Sequence, residues 1–340
     1  MKFSVGYQLR DEGQLPFSEI VAQYRDHIGE VYFAWGDLPT GRDPLSDRME
    51  QVQWDANNPV LAELKAIRGM GIRLDLLLNG NCFGGDAMSE TLADRIAEIL
   101  DFLASEGCMP EVVTTASPAV AYMVKKSHPQ TEVRASVNMR IGTVKGLDYA
   151  KHLFDSFYIC RDFNRDFDRI KELKSWADAN GKGLYLLANS GCLRDCSFQT
   201  FHDNLVAHHS EAAHNRNIRG FLPYACWNYL REPENWVSIL QNTWIRPEDL
   251  HHYEPYFPMV KLATRMHQLP LMVIDAYAKG EFYGNLPDLF EPGFGPALAP
   301  YILDNSKFPA DWFEKTTACK KNCHECTYCQ GVLDQLLLEN

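Results

Sequence analysis

The clearest folding signal in the chain is the segment Arg73-Leu-Asp-Leu-Leu-Leu78-Asn-Gly-Asn-Cys-Phe-Gly-Gly-Asp86. A short, mostly apolar run bounded by turn residues predicts a buried β-strand over 73–78, and the polar residues after it predict a loop. An amphipathic pattern over 90–105 then predicts a helix, and 112–115 predicts the next strand. The order strand, loop, helix, strand is the repeating unit of a parallel sheet.

The same unit repeats over most of the chain. Strands are predicted at 3–7, 31–35, 73–78, 112–115, 133–137, 157–160, 184–187 and 259–263, and helices at 19–27, 59–68, 90–105, 119–126, 146–154 and 166–179. Eight strands that alternate with helices over residues 1–285 predict an α/β fold, a (β/α)8 TIM-like barrel. An open, doubly wound sheet is the alternative that this pattern leaves.

Two additions extend this barrel. The first is a long insertion at about 191–252, between the seventh and eighth strands, which carries three cysteines and six histidines. The second follows a helix predicted near 271–279 and consists of a Pro/Gly-rich stretch that leads into a cysteine-rich tail. We therefore divide the chain into a barrel at 1–285 and a linker with a metal-binding tail at 286–340.

Composition narrows the range of partners. The formal net charge is −12, the pI is about 5.4, and no long basic run occurs. Nucleic acid is therefore a disfavoured partner, because phosphate binding needs a concentrated face of Lys and Arg. No apolar run approaches the roughly 20 residues that cross a bilayer, and the first residues contain no apolar signal-peptide segment. We expect a cytoplasmic protein with reduced thiols and no membrane partner.

Four cysteines of the tail form the pattern Cys319-x3-Cys323-x2-Cys326-x2-Cys329. Thiolates at every third or fourth residue can surround one cubane, and the spacing is that of a clustered ferredoxin motif reversed, so we predict a [4Fe-4S] cluster here. Zinc is the alternative, although structural zinc usually takes two ligand pairs separated by a longer spacer. The first three cysteines also have the spacing of the S-adenosylmethionine radical motif, but their late position and Cys329 argue against that reading.

Polar residues follow the predicted strands at the end where barrels of this kind carry their chemistry. A guanidinium can hold a carboxylate with two hydrogen bonds, so we expect the cationic residues to anchor a small anionic substrate. Asparagines at 138 and 189 would orient that substrate, and a histidine or an aspartate would move protons. The candidate catalytic residues are Arg161, Asp162, Asn189, His202, Lys261 and Arg265.

A second group of cysteines belongs to the same predicted mouth. Cys192 and Cys196 follow the seventh strand, and Cys226 lies later in the insertion. With Cys82, after the third strand, they would supply four thiolates for a second [4Fe-4S] cluster. Cys160 competes with Cys82 for the fourth place, but if Arg161 points into the barrel, strand alternation directs Cys160 toward the helices.

Several segments carry a resemblance to a known family. They are Val31-Tyr-Phe-Ala-Trp-Gly36, Val133-Arg-Ala-Ser-Val-Asn138, Phe157-Tyr-Ile-Cys-Arg-Asp162 and Ile245-Arg-Pro-Glu-Asp-Leu250. They resemble the barrel of the U32 peptidase, or collagenase-like, family over roughly residues 1–285. Residues 259–265, Met-Val-Lys-Leu-Ala-Thr-Arg, lie where that family has a Lys-Ile-Glu-Gly-Arg-like strand, and the Cys192, Cys196 and Cys226 set resembles its cysteine-rich loop.

The resemblance implies more than proteolysis. Despite its label, the family includes oxygen-independent hydroxylation proteins, among them the ubiquinone-biosynthesis pair U and V and RNA-hydroxylating proteins, which hold an iron–sulfur cluster with four cysteines at the barrel mouth. It therefore implies a cluster at Cys192, Cys196 and Cys226 with one further thiol. This chain departs from the family in Ala263-Thr264, which replaces Glu-Gly, in a looser cysteine spacing, and in its additional tail cysteines.

These observations predict an iron–sulfur redox enzyme with two clusters, acting by oxygen-independent hydroxylation or a related modification and supplied by an electron-donor protein. One alternative is a peptidase, as the family label says, although the sequence contains no serine-nucleophile elbow or zinc-protease helix. Another is an accessory protein whose clusters are structural and which acts only with a related partner subunit.

Overall fold

Eight parallel strands close into a barrel in the order in which they occur in the chain. The structure, a computed structural model, describes residues 1–10, 13–36, 38–40, 58–215 and 218–339. The strands are β1 Lys2–Gly6, β2 Ile28–Phe33, β3 Arg73–Leu78, β4 Val112–Thr115, β5 Glu132–Ala135, β6 Ser156–Tyr158, β7 Gly183–Leu187 and β8 Met259–Leu262. Since β1 pairs with both β2 and β8, the sheet has no edge. The predicted (β/α)8 barrel is confirmed, and the open sheet is excluded.

Helices connect these strands on the outside and form the two additions. They are α1 Phe17–Gln23, α2 Pro59–Gly69, α3 Glu90–Ser105, α4 Pro118–Ser127, α5 Val144–Ala150, α6 Phe167–Ala179, α7 Gln199–Ala207, α8 His209–His214, α9 Ala225–Tyr229, α10 Val237–Leu240, α11 Pro270–Lys279, α12 Gly295–Leu298, α13 Trp312–Ala318 and α14 Tyr328–Leu336. Strands β9 Tyr301–Leu303 and β10 Leu337–Glu339 pair antiparallel. None of the helices in the described ranges is both long and apolar enough to span a bilayer.

Capping side chains fix where the outer helices begin. Ser89 accepts a hydrogen bond from the Leu92 amide at the start of α3, and Asp166 accepts one from the Arg169 amide at the start of α6. Each side chain satisfies an amide that the first turn leaves without a partner. The predicted bounds of α3 are therefore met at both ends. Helix α1 stops short of the predicted residue 27, because a turn closed by the His27 amide leads directly into β2.

The barrel wall separates two kinds of side chain. Successive residues of a strand face opposite sides, and on β2 the apolar Val31 and Phe33 pack outward into the large core beneath the helices. Glu30 and Tyr32, which alternate with them along the strand, face inward. The interior of such a barrel is usually filled by branched apolar residues. In this chain it is filled by charged and hydroxyl-bearing side chains, which is the main departure from the usual pattern.

An ion pair across the barrel organises this polar interior. The two terminal nitrogens of the Arg134 guanidinium on β5 donate to the two carboxylate oxygens of Glu30 on β2, at 2.6 and 3.0 Å. Both side chains are fully buried. The guanidinium lies over the Tyr185 ring at 4.2 Å and is 3.8 Å from an oxygen of Asp75. Ser4 donates to the same Glu30 carboxylate at 2.8 Å. Charges removed from water at this depth remain stable only when paired and hydrogen-bonded in this way.

A second apolar core joins the insertion to the C-terminal region. Trp244 stacks on Phe290 at 5.0 Å and on Trp312 at 5.9 Å between ring centroids. The buried Arg165 guanidinium lies 4.3 Å over the Trp244 ring and donates to the Trp244 carbonyl at 2.8 Å. The Pro/Gly-rich stretch contributes Phe290 and other buried side chains to this core, so the tail begins from a packed base.

Replacing Glu30 by Gln tests the central ion pair. The Arg134 guanidinium would stay buried without its bidentate partner, keeping Glu132 at 3.1 Å and Asp75 at 3.8 Å. We therefore expect the free energy of unfolding to fall by about 3 kcal/mol, the lower end of the range for a broken buried pair. Urea unfolding followed by far-ultraviolet circular dichroism measures this change. The matched control is Lys174→Gln, which removes the 2.5 Å pair with Asp178 on the exposed face of α6 and should leave the unfolding midpoint unchanged. Equal losses in both variants would contradict the assignment.

Candidate functional site

A cavity of about 100 Å³ lies at the mouth formed by the C-terminal ends of the strands. A cavity needs roughly 10–15 Å³ to hold one water, so this one has room for a substrate of a few heavy atoms. Strand ends, the insertion and the C-terminal region all contribute to its wall. The polar and sulfur-bearing lining residues are Tyr32, Asn79, Asn138, Arg161, Cys192, Cys196, Gln199, His202, Asp203, Cys226, Lys261, Arg265 and Glu291.

Lys261 forms part of the cavity floor. It points inward from β8, its side chain is buried, and its ammonium lies 3.8 Å over the Tyr32 ring and 5.3 Å from the Tyr158 ring centroid. Burial lowers the pKa of Lys261 to about 8, and the charge of Asp75 opposes this shift. The residue is therefore a cation held by two aromatic faces and close to losing its proton near neutral pH.

Asp75 lies on β3 and is fully buried. It interacts electrostatically with Lys261 and with both members of the Glu30–Arg134 ion pair. Thr114 donates to its Oδ2 at 2.8 Å, while its buried Oδ1 has no hydrogen-bond partner in the described part of the chain. Burial raises the pKa of Asp75 to about 7, the charge of Glu30 raises it further, and Arg134 and Lys261 oppose the shift. Asp75 and Lys261 thus form a buried acid and base whose pKa values have moved toward each other.

Two guanidinium groups complete the cationic part of the cavity. Arg161 follows β6 in a short turn, is 7% exposed, and its buried Nε has no hydrogen-bond partner among the described residues. Arg265 follows β8 and donates to the Thr40 hydroxyl at 3.3 Å. A Cβ at Gly6 would lie 2.6 Å from the Arg265 backbone nitrogen and 2.7 Å from the Tyr32 ring, so only glycine allows both residues their places. Buried cations that face one cavity favour an anionic ligand.

Three thiols occupy the side of the cavity formed by the insertion. Cys192, Cys196 and Cys226 all line it. Burial raises the pKa of Cys226 to about 11, and the charge of Cys192 and then that of Cys196 add to the shift. Soft thiolates in this number suit an iron–sulfur cluster or zinc. Within the described ranges, however, no three Cys, His, Asp or Glu side chains are arranged so that they could hold a metal ion.

The two candidates for a fourth thiol lie elsewhere. Cys82 is half-buried after β3, where its sulfur accepts a hydrogen bond from the Gly84 amide at 3.4 Å, and it does not line the cavity. Cys160 packs beside Gly142, and its thiol donates to Asp162 at 3.8 Å. Arg161 faces the cavity, and its neighbour Cys160 does not line it. Both residues follow the end of β6 at Tyr158, so strand alternation does not decide their directions. Neither thiol joins the other three in this structure.

The remaining predicted site residues separate into two groups. His202 lines the cavity, and its ring meets the Tyr224 ring edge-on at 5.1 Å. Asp162 does not line the cavity. The side-chain amide of Asn189 binds backbone groups instead of facing the cavity. Its nitrogen donates to the Ala263 and Leu289 carbonyls, and its oxygen accepts from the Ala263 amide at 2.6 Å. Asn189 therefore ties β7 to β8 at the mouth.

Helix α7 of the insertion is held over the mouth by polar contacts. Arg140, in a left-handed conformation after β5, donates to Thr200 at 2.9 Å and lies 3.9 Å from Asp203. Asn81, after β3, donates to the same carboxylate at 3.3 Å. These contacts place His202 on the cavity side of α7. The sequence pattern had predicted His202 but not Asp203.

One wall of the cavity comes from a segment that sequence reasoning missed. The Glu291 amide donates to the Asn189 carbonyl at 3.1 Å, and the Gly191 amide donates to the Glu291 carbonyl at 3.0 Å, which extends β7 by a short parallel pairing. A Cβ at Gly191 would lie 1.9 Å from the Pro292 carbonyl oxygen, so the approach requires glycine. Glu291 lines the cavity. Nothing in a Pro/Gly-rich stretch distinguishes this glutamate from a loop residue.

The tail cysteines gather beside the mouth. Burial raises the pKa of Cys329 to about 11; Arg165 opposes the shift, and Cys323 is the next cysteine that adds to it. A second cavity, of about 500 Å³, is lined by Cys196 and Cys226 and by Lys321, Cys323 and His324. One tail cysteine therefore lines the same space as two thiols of the mouth group.

The altered strand-eight motif has a structural explanation. Ala263 lines the cavity, where the resembling family has an acidic residue. The Thr264 hydroxyl accepts a hydrogen bond from the Gly6 amide at 2.7 Å, and the Thr264 amide donates to the Tyr32 hydroxyl at 3.1 Å. Thr264 therefore joins β8 to β1 and β2. The carboxylate residues that line the cavity, among those the structure describes, are Asp203 and Glu291.

Comparisons with known proteins agree with this architecture. No family model matches the chain. An uncharacterized protease of Methanocaldococcus jannaschii, MJ1657, is 27% identical over 279 residues, which cover 78% of this chain and 77% of that protein. The U32 peptidase Mk0906 shares the fold with a TM-score of 0.52 and 13% identity, covering 76% of this chain and 91% of that one.

The two similarities are of different kinds. The first extends through most of both sequences, and the second shows a barrel of the same architecture. Both agree with the segments that resemble the family along β2, β5, β6 and β8. Together they support the similarity of this chain to the U32 peptidase family, as a divergent relative.

Proposed function

We propose that this protein is an iron–sulfur enzyme that modifies a small anionic substrate at the barrel mouth, by oxygen-independent hydroxylation or a related redox reaction. One observation carries the proposal: a single cavity is lined by three neighbouring thiols and by the cations Arg161, Lys261 and Arg265. Thiolates are the usual ligands of iron–sulfur clusters, and buried cations select an anion. Free thiols fit a reducing compartment, so we place the protein in the cytoplasm.

The residues that would hold the mouth cluster are Cys192, Cys196 and Cys226, with Cys82 or Cys160 as the fourth ligand. Bound there, a cluster would supply or accept single electrons. Arg161 would bind the substrate carboxylate, because its buried Nε has no hydrogen-bond partner among the described residues. His202, on the cavity side of α7, would exchange a proton with the substrate.

The tail supports a route for electrons. Cys323 shares the second cavity with Cys196 and Cys226, so a cluster on Cys319, Cys323, Cys326 and Cys329 would lie next to the mouth. In this proposal the tail receives electrons from a donor protein and passes them to the barrel. Zinc in the tail would make it structural instead, and a related partner subunit would then have to supply the electrons.

Metal analysis tests the proposal. After anaerobic purification we expect about eight irons and as much sulfide per chain, from two four-iron clusters. Cys226→Ala and Cys326→Ala should each lose about half of the iron and one paramagnetic resonance signal. Cys108→Ala is the matched control, because Cys108 is fully buried in the barrel core and should not change the metal content. Zinc without sulfide in the wild-type protein would sink the proposal.

The fourth ligand can be identified in the same way. Cys82→Ala and Cys160→Ala differ from Cys108→Ala only in the position of the lost thiol, so the variant that loses the mouth signal names the ligand. If neither loses it, the mouth cluster has only three protein ligands and an open iron site. That result would leave the proposal standing and would move the substrate closer to the iron.

Anion binding gives an independent prediction. A hydrogen bond to a charged group contributes about 1.5–3 kcal/mol, so Arg161→Leu should weaken the binding of a small carboxylate such as glyoxylate by about ten- to a hundredfold. Isothermal titration calorimetry measures this. The control is Arg169→Leu, which removes a guanidinium that pairs with Glu172 on the outside of α6. Equal affinities for wild type and Arg161→Leu would rule out this anion site.

Proteolysis is the second candidate, because one relative is described as a protease and another as a peptidase. A cysteine nucleophile needs a lowered pKa, whereas burial raises the pKa of Cys226 to about 11. We therefore expect neither metal-free nor iron-loaded protein to cleave gelatin or a peptide mixture. Cleavage that survives removal of metal and is lost in Cys226→Ala would favour a peptidase.

A further inference from the structure

Lys261 is the only cation of the cavity floor that is held by aromatic rings, with no hydrogen bond or ion pair to its Nζ among the described residues. A buried lysine that merely stabilises a fold is normally paired with a carboxylate. The rings of Tyr32 and Tyr158 stabilise the ammonium form, but they do not occupy the lone pair once the proton has left. The amine is therefore positioned in a ligand cavity and free to react.

The surroundings of Lys261 select one kind of partner. Arg161 and Arg265 line the same small cavity and favour a carboxylate. A ligand of a few heavy atoms whose carboxylate lies on these guanidinium groups brings the adjoining carbon toward the floor. If that carbon is a carbonyl, the Lys261 amine can reach it.

We propose that Lys261 is a nucleophile that forms an imine with a small 2-oxo acid or a similar carbonyl-bearing anion. The neutral amine attacks the carbonyl carbon and forms a C–N bond. Two protons, both originally on the amine nitrogen or exchanged with it, reach the carbonyl oxygen; the C–O bond breaks, and the oxygen leaves as water. No electron is gained or lost, so the step needs no redox partner.

The charges that face Lys261 support this chemistry. Burial lowers its pKa to about 8, Asp75 and then Glu30 oppose the shift, and Arg265 and Arg134 add to it. Relative to an ordinary lysine near 10.4, a pKa of about 8 makes roughly two hundredfold more neutral amine available at pH 7. The raised pKa of Asp75 keeps a proton donor in the same buried network.

Reductive trapping tests the inference. The protein is incubated with glyoxylate and cyanoborohydride, which reduces an imine to a stable carboxymethyl-lysine, and the lysines are quantified by peptide mass spectrometry. We expect labelling of Lys261 to exceed that of the exposed Lys151 and Lys279 by at least about tenfold, because the neutral amine is more abundant and the probe is held. Labelling of Lys261 no faster than that of the exposed lysines overturns the proposal.

Two variants separate a reactive amine from a merely accessible one. Arg161→Leu removes the carboxylate anchor and should lower labelling of Lys261 by about tenfold or more while leaving Lys151 and Lys279 unchanged. In Asp75→Asn a negative charge that raises the pKa of Lys261 is lost, so the pH at which labelling is half-maximal should move down. If Asp75→Asn does not fold, the pH profile of the wild type must still show a midpoint below that of the exposed lysines. A wild-type midpoint equal to theirs contradicts the inference.

This inference rests on the proposed function only for the anionic class of substrate. Trapping is independent of metal, so it is measured on both metal-free and iron-loaded protein. Labelling of Lys261 in a protein that binds no iron would support the imine chemistry and contradict the proposed iron–sulfur function. Two iron–sulfur clusters without labelling of Lys261 would support the proposed function and contradict the imine chemistry.

Discussion

The ion pair between Arg134 and Glu30 is the interaction on which the interior of this barrel depends. It joins β5 to β2 across the barrel, with both charges fully withdrawn from water. Coulomb attraction is strong there, but so is the cost of desolvation. The two hydrogen bonds to Glu30, the Tyr185 face and further hydrogen bonds from Arg134 to Glu132 and Ser156 offset that cost. Asp75 and Lys261 feel the charges of both partners, so the properties of the cavity floor are set by a pair that lies below it.

The mouth gathers groups that are far apart in the chain. Cations arrive from the ends of β6 and β8, thiols from the insertion, and a carboxylate from the segment after α11. The backbone contacts of Asn189 and Thr264 hold the strand ends in register beneath them. Thiolates and cations near one another stabilise each other's charged forms. Metal binding at the thiols and anion binding at the arginines would therefore be energetically linked rather than independent.

The barrel was predictable because each strand carries its own signal. Arg73–Leu78 and Glu90–Ser105 have the predicted bounds, since an apolar run and a serine cap are local features. The cationic part of the mouth was predictable from its position after the strands. The polar interior was not predicted, because single polar residues such as Asp75 and Lys261 stand within otherwise apolar strands. The pairing of distant residues such as Glu30 and Arg134 is not a local property. Glu291 carried no signal, because its place depends on Gly191 meeting Pro292.

That meeting has a consequence for the order in which the protein matures. Chains leave the ribosome from the N-terminus, so all eight barrel strands are made before the residues around Glu291, which pair with the end of β7. Until that pairing forms, the mouth lacks one side and is open to solvent. A cluster of the kind proposed above would therefore enter most easily before the residues around Glu291 have paired with the end of β7.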